Sequence, residues 1–179
     1  MKIRNANHLA NRLPLPIQRS YFSIILAGKT LSSSGRPQAR AMANAAIDPA
    51  QIAPLLQQRC EVLTDIPEKV DFFDALPEYD ITLYTNKKSK TDPAVSLEML
   101  KTVRPLLAEL PAWDDETLLA AMKDLAERLE VKNAKVMWPV RIAVSGRAVT
   151  PGGAVEICRI LGRDETLRRI DAGIAKLEG

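Results

Sequence analysis

The chain has 179 residues, 46% hydrophobic and 26% charged, which is enough for one sizeable core or two small ones and excludes a disordered tail. Only 4% of residues are aromatic, prolines number 12 against 8 glycines, and few stretches alternate apolar with polar residues, so β-sandwiches and barrels are poorly supported and an all-α fold is expected. The net charge of +3 hides an asymmetry: Met1 to Ile47 holds seven basic residues (Lys2, Arg4, Arg12, Arg19, Lys29, Arg36 and Arg40) and no Asp or Glu, which leaves 18 of the 25 basic residues against all 22 acidic ones, a net −4.

Residues 1–47 therefore read as a basic arm, with Pro14, Pro16, Pro37 and the polar stretch Thr30 to Gly35 arguing for flexibility rather than a packed subdomain. Three origins stay open for it: an organelle transit peptide, a nucleic-acid-binding tail, and an extension from a fused, truncated or misread gene start. From Asp48 onward the punctuation is that of short helices. Asp48-Pro49 offers an N-cap carboxylate followed by proline at the first helical position, and Ile52, Leu55, Leu56 and Leu63 line one face. Asp65-Ile66-Pro67 opens a second helix, with Val70, Phe73, Ala75 and Leu76 apolar before Pro77 stops it. A loop carrying Tyr79 and Tyr84 follows. Asp92-Pro93 repeats the cap before Val95, Leu97, Leu100, Val103, Leu106, Leu107 and Leu110, where Pro105 is expected to kink or divide the segment.

Trp113-Asp114 caps Glu116 to Glu130, whose Leu118, Leu119, Met122, Leu125, Ala126 and Leu129 recur at helical spacing, and Asn133 reads as a C-terminal turn. Three further helices are expected: Ala134 to Ser145, interrupted or started by Pro139; Pro151 to Leu161 behind the cap Thr150; and Asp164 to Leu177, with Leu167, Ile170, Ile174 and Leu177 as its buried stripe. The organisation that satisfies the pattern is two small helical bundles, 48–132 and 133–179, behind the flexible arm.

The residue inventory excludes several chemistries. One histidine, His8, and two unpatterned cysteines, Cys60 and Cys158, assemble neither a zinc site nor a Ser-His-Asp or Cys-His system, and no disulfide framework or secretory signal is evident. No catalytic residue, cofactor or metal is expected, the longest apolar run is too short for a membrane span, and the cytoplasm is the expected compartment. Asp114-Asp115-Glu116 sits at a helix start, where the macrodipole favours carboxylates. The glycines of Gly146 to Gly153 lack phosphate-loop spacing, and Lys87-Lys88-Ser89-Lys90-Thr91 reads as a solvated basic loop that touches a phosphate.

Several motifs carry a resemblance. Asp65-Ile66-Pro67-Glu68-Lys69-Val70-Asp71-Phe72-Phe73, Leu-Pro-Glu-Tyr-Asp at 76–80, Lys-Lys-Ser-Lys-Thr at 87–91, and above all 136–146 (VMWPVRIAVSG) followed by Thr150-Pro151-Gly152-Gly153 resemble the C-terminal anticodon-binding region of bacterial glutamyl-tRNA synthetases. The likeness runs in order from about Asp48 to the C-terminus. It implies an all-helical region of two subdomains and a site for tRNA(Glu) in which Arg59, Arg141, Thr150, Pro151, Gly152 and Gly153 lie against anticodon bases. Lys87, Lys88, Lys90 and Lys132 are expected to add contacts to the tRNA backbone. That family's HIGH motif, true KMSKS loop and catalytic Rossmann domain do not appear, so the expectation is a truncated, split or fragmentary synthetase, inactive alone and partnered by a separate catalytic domain.

The resemblance places Arg59 at the last anticodon base, and the chemistry of the pair is simple. A guanidinium offers only donors; unpaired cytosine offers the acceptors O2 and N3, whereas guanine presents N1–H and N2–H₂ donors. Arginine accepts C, the last anticodon base of glutamate tRNAs, and rejects G, that of glutamine tRNAs. The competing reading of Arg59 is a surface ion pair with Glu61, and of the whole chain a helical protein-interaction module that binds no nucleic acid. Trp138, Tyr79 and Tyr84 are either stacking platforms or core residues.

Overall fold

At Asp80, Asp92 and Asp114 a helical segment starts where a side chain takes up a backbone N–H that the helix itself cannot satisfy. The computed structural model describes Ile47 and residues 49–57 and 66–179. Its α-helices are α1 (Pro49–Gln57), α2 (Ile66–Asp74), α3 (Pro93–Ala108), α4 (Asp115–Arg128), α5 (Asn133–Ser145), α6 (Ala154–Leu161) and α7 (Arg163–Glu178), with a 3₁₀ turn at Ile81–Tyr84 between α2 and α3. Among the described residues the extended pairing is one isolated antiparallel bridge, Asn86 to Thr91. The expected caps at Asp92 and Asp114 are present: their carboxylates each accept a backbone N–H, from Val95 and Thr117, at 2.8 Å. The basic arm before Ile47, and with it His8, as well as Asp48, Arg59, Cys60, Leu63 and Asp65, lie outside the described residues.

The chain divides into two compact units, Met1–Ala75 and Leu76–Gly179. In the first, Ile47, Ile52, Leu56, Val70, Phe72 and Phe73 are buried, and the two phenylalanine rings lie 4.3 Å apart between centroids. In the second, α5 is the central element, packed against α3, α4, α6 and α7. Val136, Val140, Ile142, Ala143 and Val144 on α5 are wholly inaccessible to solvent. The boundary expected at 132/133 falls inside this second unit, where α3 packs along both α5 and α7.

Three local expectations differ from what the backbone does. Pro139 neither starts nor interrupts its helix but lies in mid-α5; Pro105, expected to kink or divide its segment, does not divide it and lies in the last turn of a continuous α3. Asn133 is not a terminal turn but the first residue of α5; the turn that ends α4 is made by Glu130, at φ 53°, with the Val131 N–H bonded to the Ala126 carbonyl at 2.9 Å. On α7 the buried positions are Thr166, Arg169, Ile170 and Gly173, whereas Leu167, Ile174 and Leu177 are half-buried.

That rotation of α7 has two causes. Gly173 admits the Tyr84 hydroxyl, which would stand 2.8 Å from any Cβ there, and the Ala143 methyl at 3.1 Å. Arg169 has an accessibility of 0% and is held by polar partners: Nε donates to Glu165 Oε1 at 2.6 Å and Nη1 to the Val144 carbonyl at 2.7 Å. Hydrogen bonds from Arg168 and then Arg169 hold the Glu165 carboxyl down to about 2.

Two predictions follow from this packing. Gly146 ends α5 in the left-handed region at φ 63°, and a Cβ there would meet Tyr79 Cδ1 at 2.8 Å. Gly146→Ala is expected to lower unfolding free energy by at least about 1–2 kcal/mol, read from urea midpoints at unchanged m-value. Glu165 binds its proton more weakly folded than unfolded, so its stabilising contribution is complete above its ordinary value of 4.5 and is lost as pH falls toward about 2. The stability difference between the wild-type chain and Glu165→Gln is therefore expected to be constant above about pH 5.5 and to shrink through that window in acid-titrated melts.

Candidate nucleic-acid interface

The basic loop before α3 is rigid by construction. Asn86 and Thr91 exchange both backbone hydrogen bonds, at 2.9 and 3.1 Å, and the Asn86 side-chain oxygen accepts the N–H groups of Lys88 at 2.8 Å and Ser89 at 3.1 Å. The Thr91 hydroxyl donates to the Tyr84 carbonyl at 2.9 Å, fastening the loop to the 3₁₀ turn. Ser89 and Thr91 are buried, while Lys87, Lys88 and Lys90 are exposed, Lys90 at φ 55°. Three cations thus project from a closed turn.

Facing this loop is the second half of α5. Trp138 donates its indole N–H to the Leu83 carbonyl at 3.1 Å, and the Arg141 guanidinium lies over the Trp138 ring, 4.4 Å from its centroid. Arg141 Nη2 also donates to the Ala148 carbonyl at 2.8 Å. The loop that follows is held at its start by Ser145, whose hydroxyl donates to the Arg141 carbonyl at 2.7 Å and accepts the Arg147 N–H at 3.2 Å. A solvent-facing groove results, walled by residues of the 82–88 loop, including Lys87 and Lys88, on one side and by Trp138 and Ala148 on the other.

The Thr150-Pro151-Gly152-Gly153 turn is built differently from its expected form. Thr150 is not the N-cap of α6: its hydroxyl donates to the Gly152 carbonyl at 2.6 Å, and the cap position is Gly153, whose N–H donates to Glu156 Oε2 at 3.1 Å. The cap position falls three residues beyond Thr150, so the threonine closes the loop instead of starting the helix. Thr150, Pro151 and Gly152 are buried and Gly153 is half-buried; the loop exposes Ala148 and Val149, the latter at 84%. Val149 carries no sequence signal that distinguishes it from a core valine.

The remaining candidates are dispersed. Lys132 is exposed immediately before α5, roughly 13 Å along the helix from Arg141 by its rise, and does not line the groove. Tyr84 is wholly buried and shares a 2.9 Å hydrogen bond with the Tyr79 hydroxyl; burial raises the pKa of both. Tyr84 is a core residue, not a stacking platform, whereas Tyr79 is half-buried, with Lys176 Nζ 4.9 Å from its ring centroid. Arg163 is occupied within the fold, donating to the Leu110 carbonyl and lying 5.4 Å from the Trp113 centroid. Asp115 pairs with Arg159 at 2.9 Å, beside the cap Asp114. Burial pushes the Cys158 thiol up to about 12, so it is no nucleophile at neutral pH. Among the described residues no helix is long and apolar enough to cross a membrane.

Comparison with known proteins bears on this arrangement. Residues 30–174 match the family model described as "Anticodon binding domain". A glutamate–tRNA ligase of Clostridium acetobutylicum is 48% identical over 132 residues, and one of Clostridium tetani is 50% identical over 131. These alignments cover 74% and 73% of this chain but 27% of each relative, so the chain spans about a quarter of the length of the curated proteins it matches. A crystal structure of a glutamate–tRNA ligase from Elizabethkingia meningosepticum superposes with a TM-score of 0.69 at 20% identity, covering 96% of this chain and 31% of that one. A glutamate–tRNA synthetase from Elizabethkingia anophelis gives 0.65 at 20% identity, covering 94% and 30%.

Proposed function

The chain belongs to the anticodon-binding-domain family, and on that premise we propose that it recognises the unpaired anticodon bases of a tRNA, with glutamate tRNA as the cognate one. The observation that carries this reading is the fixed Arg141 guanidinium, held between the Trp138 ring and the Ala148 carbonyl beside a groove that Lys87 and Lys88 enter. Single-stranded RNA is read by splayed bases laid against aromatic rings and guanidinium planes, while ammonium groups take the phosphates. A pre-positioned guanidinium spares the entropy of ordering a long side chain on binding.

Within this reading the Thr150–Gly153 turn holds its loop against the bases, with the half-buried Gly153 backbone as the point of close approach and Val149 as the exposed apolar contact. Lys90 and Lys132 add charge at greater range. Arg59, outside the described residues, is assigned to the last anticodon base on the donor–acceptor argument that favours C over G. The glutamate–tRNA ligase relatives support glutamate tRNA as the partner, and the share of ligase function assigned to this stretch is recognition of the tRNA, in the cytoplasm, alongside a catalytic domain.

Fluorescence anisotropy at low salt, using the full chain and glutamate-tRNA anticodon stem-loops ending their anticodon in C or G, tests the proposal. The C loop is expected to bind about 5- to 150-fold tighter, and Arg59→Gln to erase that preference. Arg141→Ala is expected to weaken both loops by about tenfold or more, Arg163→Ala by less than about twofold, and each of Lys87→Ala and Lys88→Ala to reduce the logarithmic salt slope by roughly 0.7. Equal binding of both loops, indifferent to Arg59 and Arg141, would overturn the assignment.

A further inference from the structure

We propose that Asn86 reads the keto oxygen of a base seated in the groove beside Trp138, O4 of uracil or O6 of guanine, and turns away the amino group that cytosine and adenine carry there. The inference rests on the anticodon-reading function proposed above and names what this groove discriminates. Asn86 lines the groove between Thr85 and Lys87, with Trp138 and Ala148 on the other wall.

An asparagine amide ordinarily offers an acceptor and two donors, and it pairs with adenine by using both kinds. Asn86 has its acceptor spent inside the loop, where Oδ1 takes the N–H groups of Lys88 at 2.8 Å and Ser89 at 3.1 Å. Those two donors also decide which way the amide faces, since turning it over would set Nδ2 against them. The backbone N–H and carbonyl of Asn86 are both exchanged with Thr91, at 2.9 and 3.1 Å. The polar atom left to meet a ligand is therefore Nδ2, an uncharged donor.

The rest of the groove has the same one-way character. The Leu83 carbonyl already accepts the Trp138 indole N–H, that of Ala148 accepts Arg141 Nη2, and that of Thr82 accepts the Thr85 N–H at 2.9 Å. Lys87 and Lys88 bring donors alone, and the Thr85 hydroxyl serves as donor or acceptor alike, so it adds no preference. An amino group entering here meets other donors and loses its water without gaining a partner, whereas a keto oxygen accepts from Nδ2. The flanking ammonium groups suit phosphates, which leaves the neutral amide for the base edge.

Asn86→Asp isolates the contact: a carboxylate accepts the Lys88 and Ser89 N–H groups as the amide does, so the loop is kept, but the outward donor becomes an acceptor. Anisotropy at low salt, with the full chain and glutamate-tRNA anticodon stem-loops carrying each of the four bases singly at the first and middle anticodon positions, tests the assignment. At one of these positions U and G are expected to bind about three- to tenfold tighter than C and A, and Asn86→Asp, at an unchanged thermal melt, to abolish or invert that order. In the wild-type chain, 4-thiouridine at that position is expected to lose most of the advantage of U, because sulfur accepts hydrogen bonds weakly. Loops that bind through Arg141 without a keto preference, or with one that Asn86→Asp or the thio base leaves intact, would overturn this inference and leave the anticodon-reading function standing. A loss in Asn86→Asp that is equal for all four bases would assign Nδ2 to a phosphate and overturn it too. Absence of binding by every loop would overturn both.

Discussion

A helix enclosed on nearly every side must have its last carbonyls satisfied from within the protein, because water cannot reach them. Helix α5 is in that position, and its C-terminal end is closed by three separate donors. The Gly146 N–H bonds to the Ile142 carbonyl at 2.7 Å, the Ser145 hydroxyl to that of Arg141 at 2.7 Å, and the Arg169 guanidinium to that of Val144 at 2.7 Å. A buried carbonyl left without a donor costs about 1–3 kcal/mol, so each of these contacts constrains what surrounds it. Arg169 needs a counter-charge, which Glu165 supplies from one turn earlier on α7, and that orientation turns Gly173 toward Tyr84 and Ala143. The position of α7, the tyrosine pair and the 3₁₀ turn all follow from closing the end of one helix.

The same end of α5 carries the proposed recognition chemistry. Arg141 lies one turn before Ser145, and the loop that leaves Gly146 returns to it through the Ala148 carbonyl. Tyr84, packed on Gly173, accepts at its carbonyl the Thr91 hydroxyl that fastens the lysine loop, and the neighbouring Leu83 carbonyl takes the Trp138 indole N–H. The side chains that would meet RNA are therefore anchored by the contacts that seal the core. Their geometry is set before any ligand arrives, which is how a small surface gains affinity without ordering flexible side chains on binding.

Charge is distributed in accordance with this division. The exposed lysines project from a loop closed by its own backbone, whereas several acids of the unit are taken up in pairs between helices, such as the bidentate Arg104–Asp171 contact joining α3 to α7 at 2.9 Å.

Helix starts and helical class were legible in the sequence because they depend on short-range physics: an aspartate reaching an N–H three residues on, a proline at the first helical position, an apolar repeat matching the helical period. The caps at Asp92 and Asp114 and most of the buried face of α4 are of this kind, although Leu119 and Leu129, at the same spacing, are exposed, and the motif at 136–153 carried the family. The all-helical class and the family stand as expected, whereas Arg59 falls outside the described residues. What the tertiary structure alone decided depends on partners distant in the chain. No local pattern marks Arg169 as a core residue, since its burial rests on the carbonyl of Val144 and on the path of α7. Nor does any local pattern turn Thr150 from helix cap to loop closure, join Lys87 and Lys88 to Trp138, or place the 132/133 junction inside a single packed unit. Those outcomes belong to contacts between helices, where a side chain's role is set by what the rest of the fold brings against it.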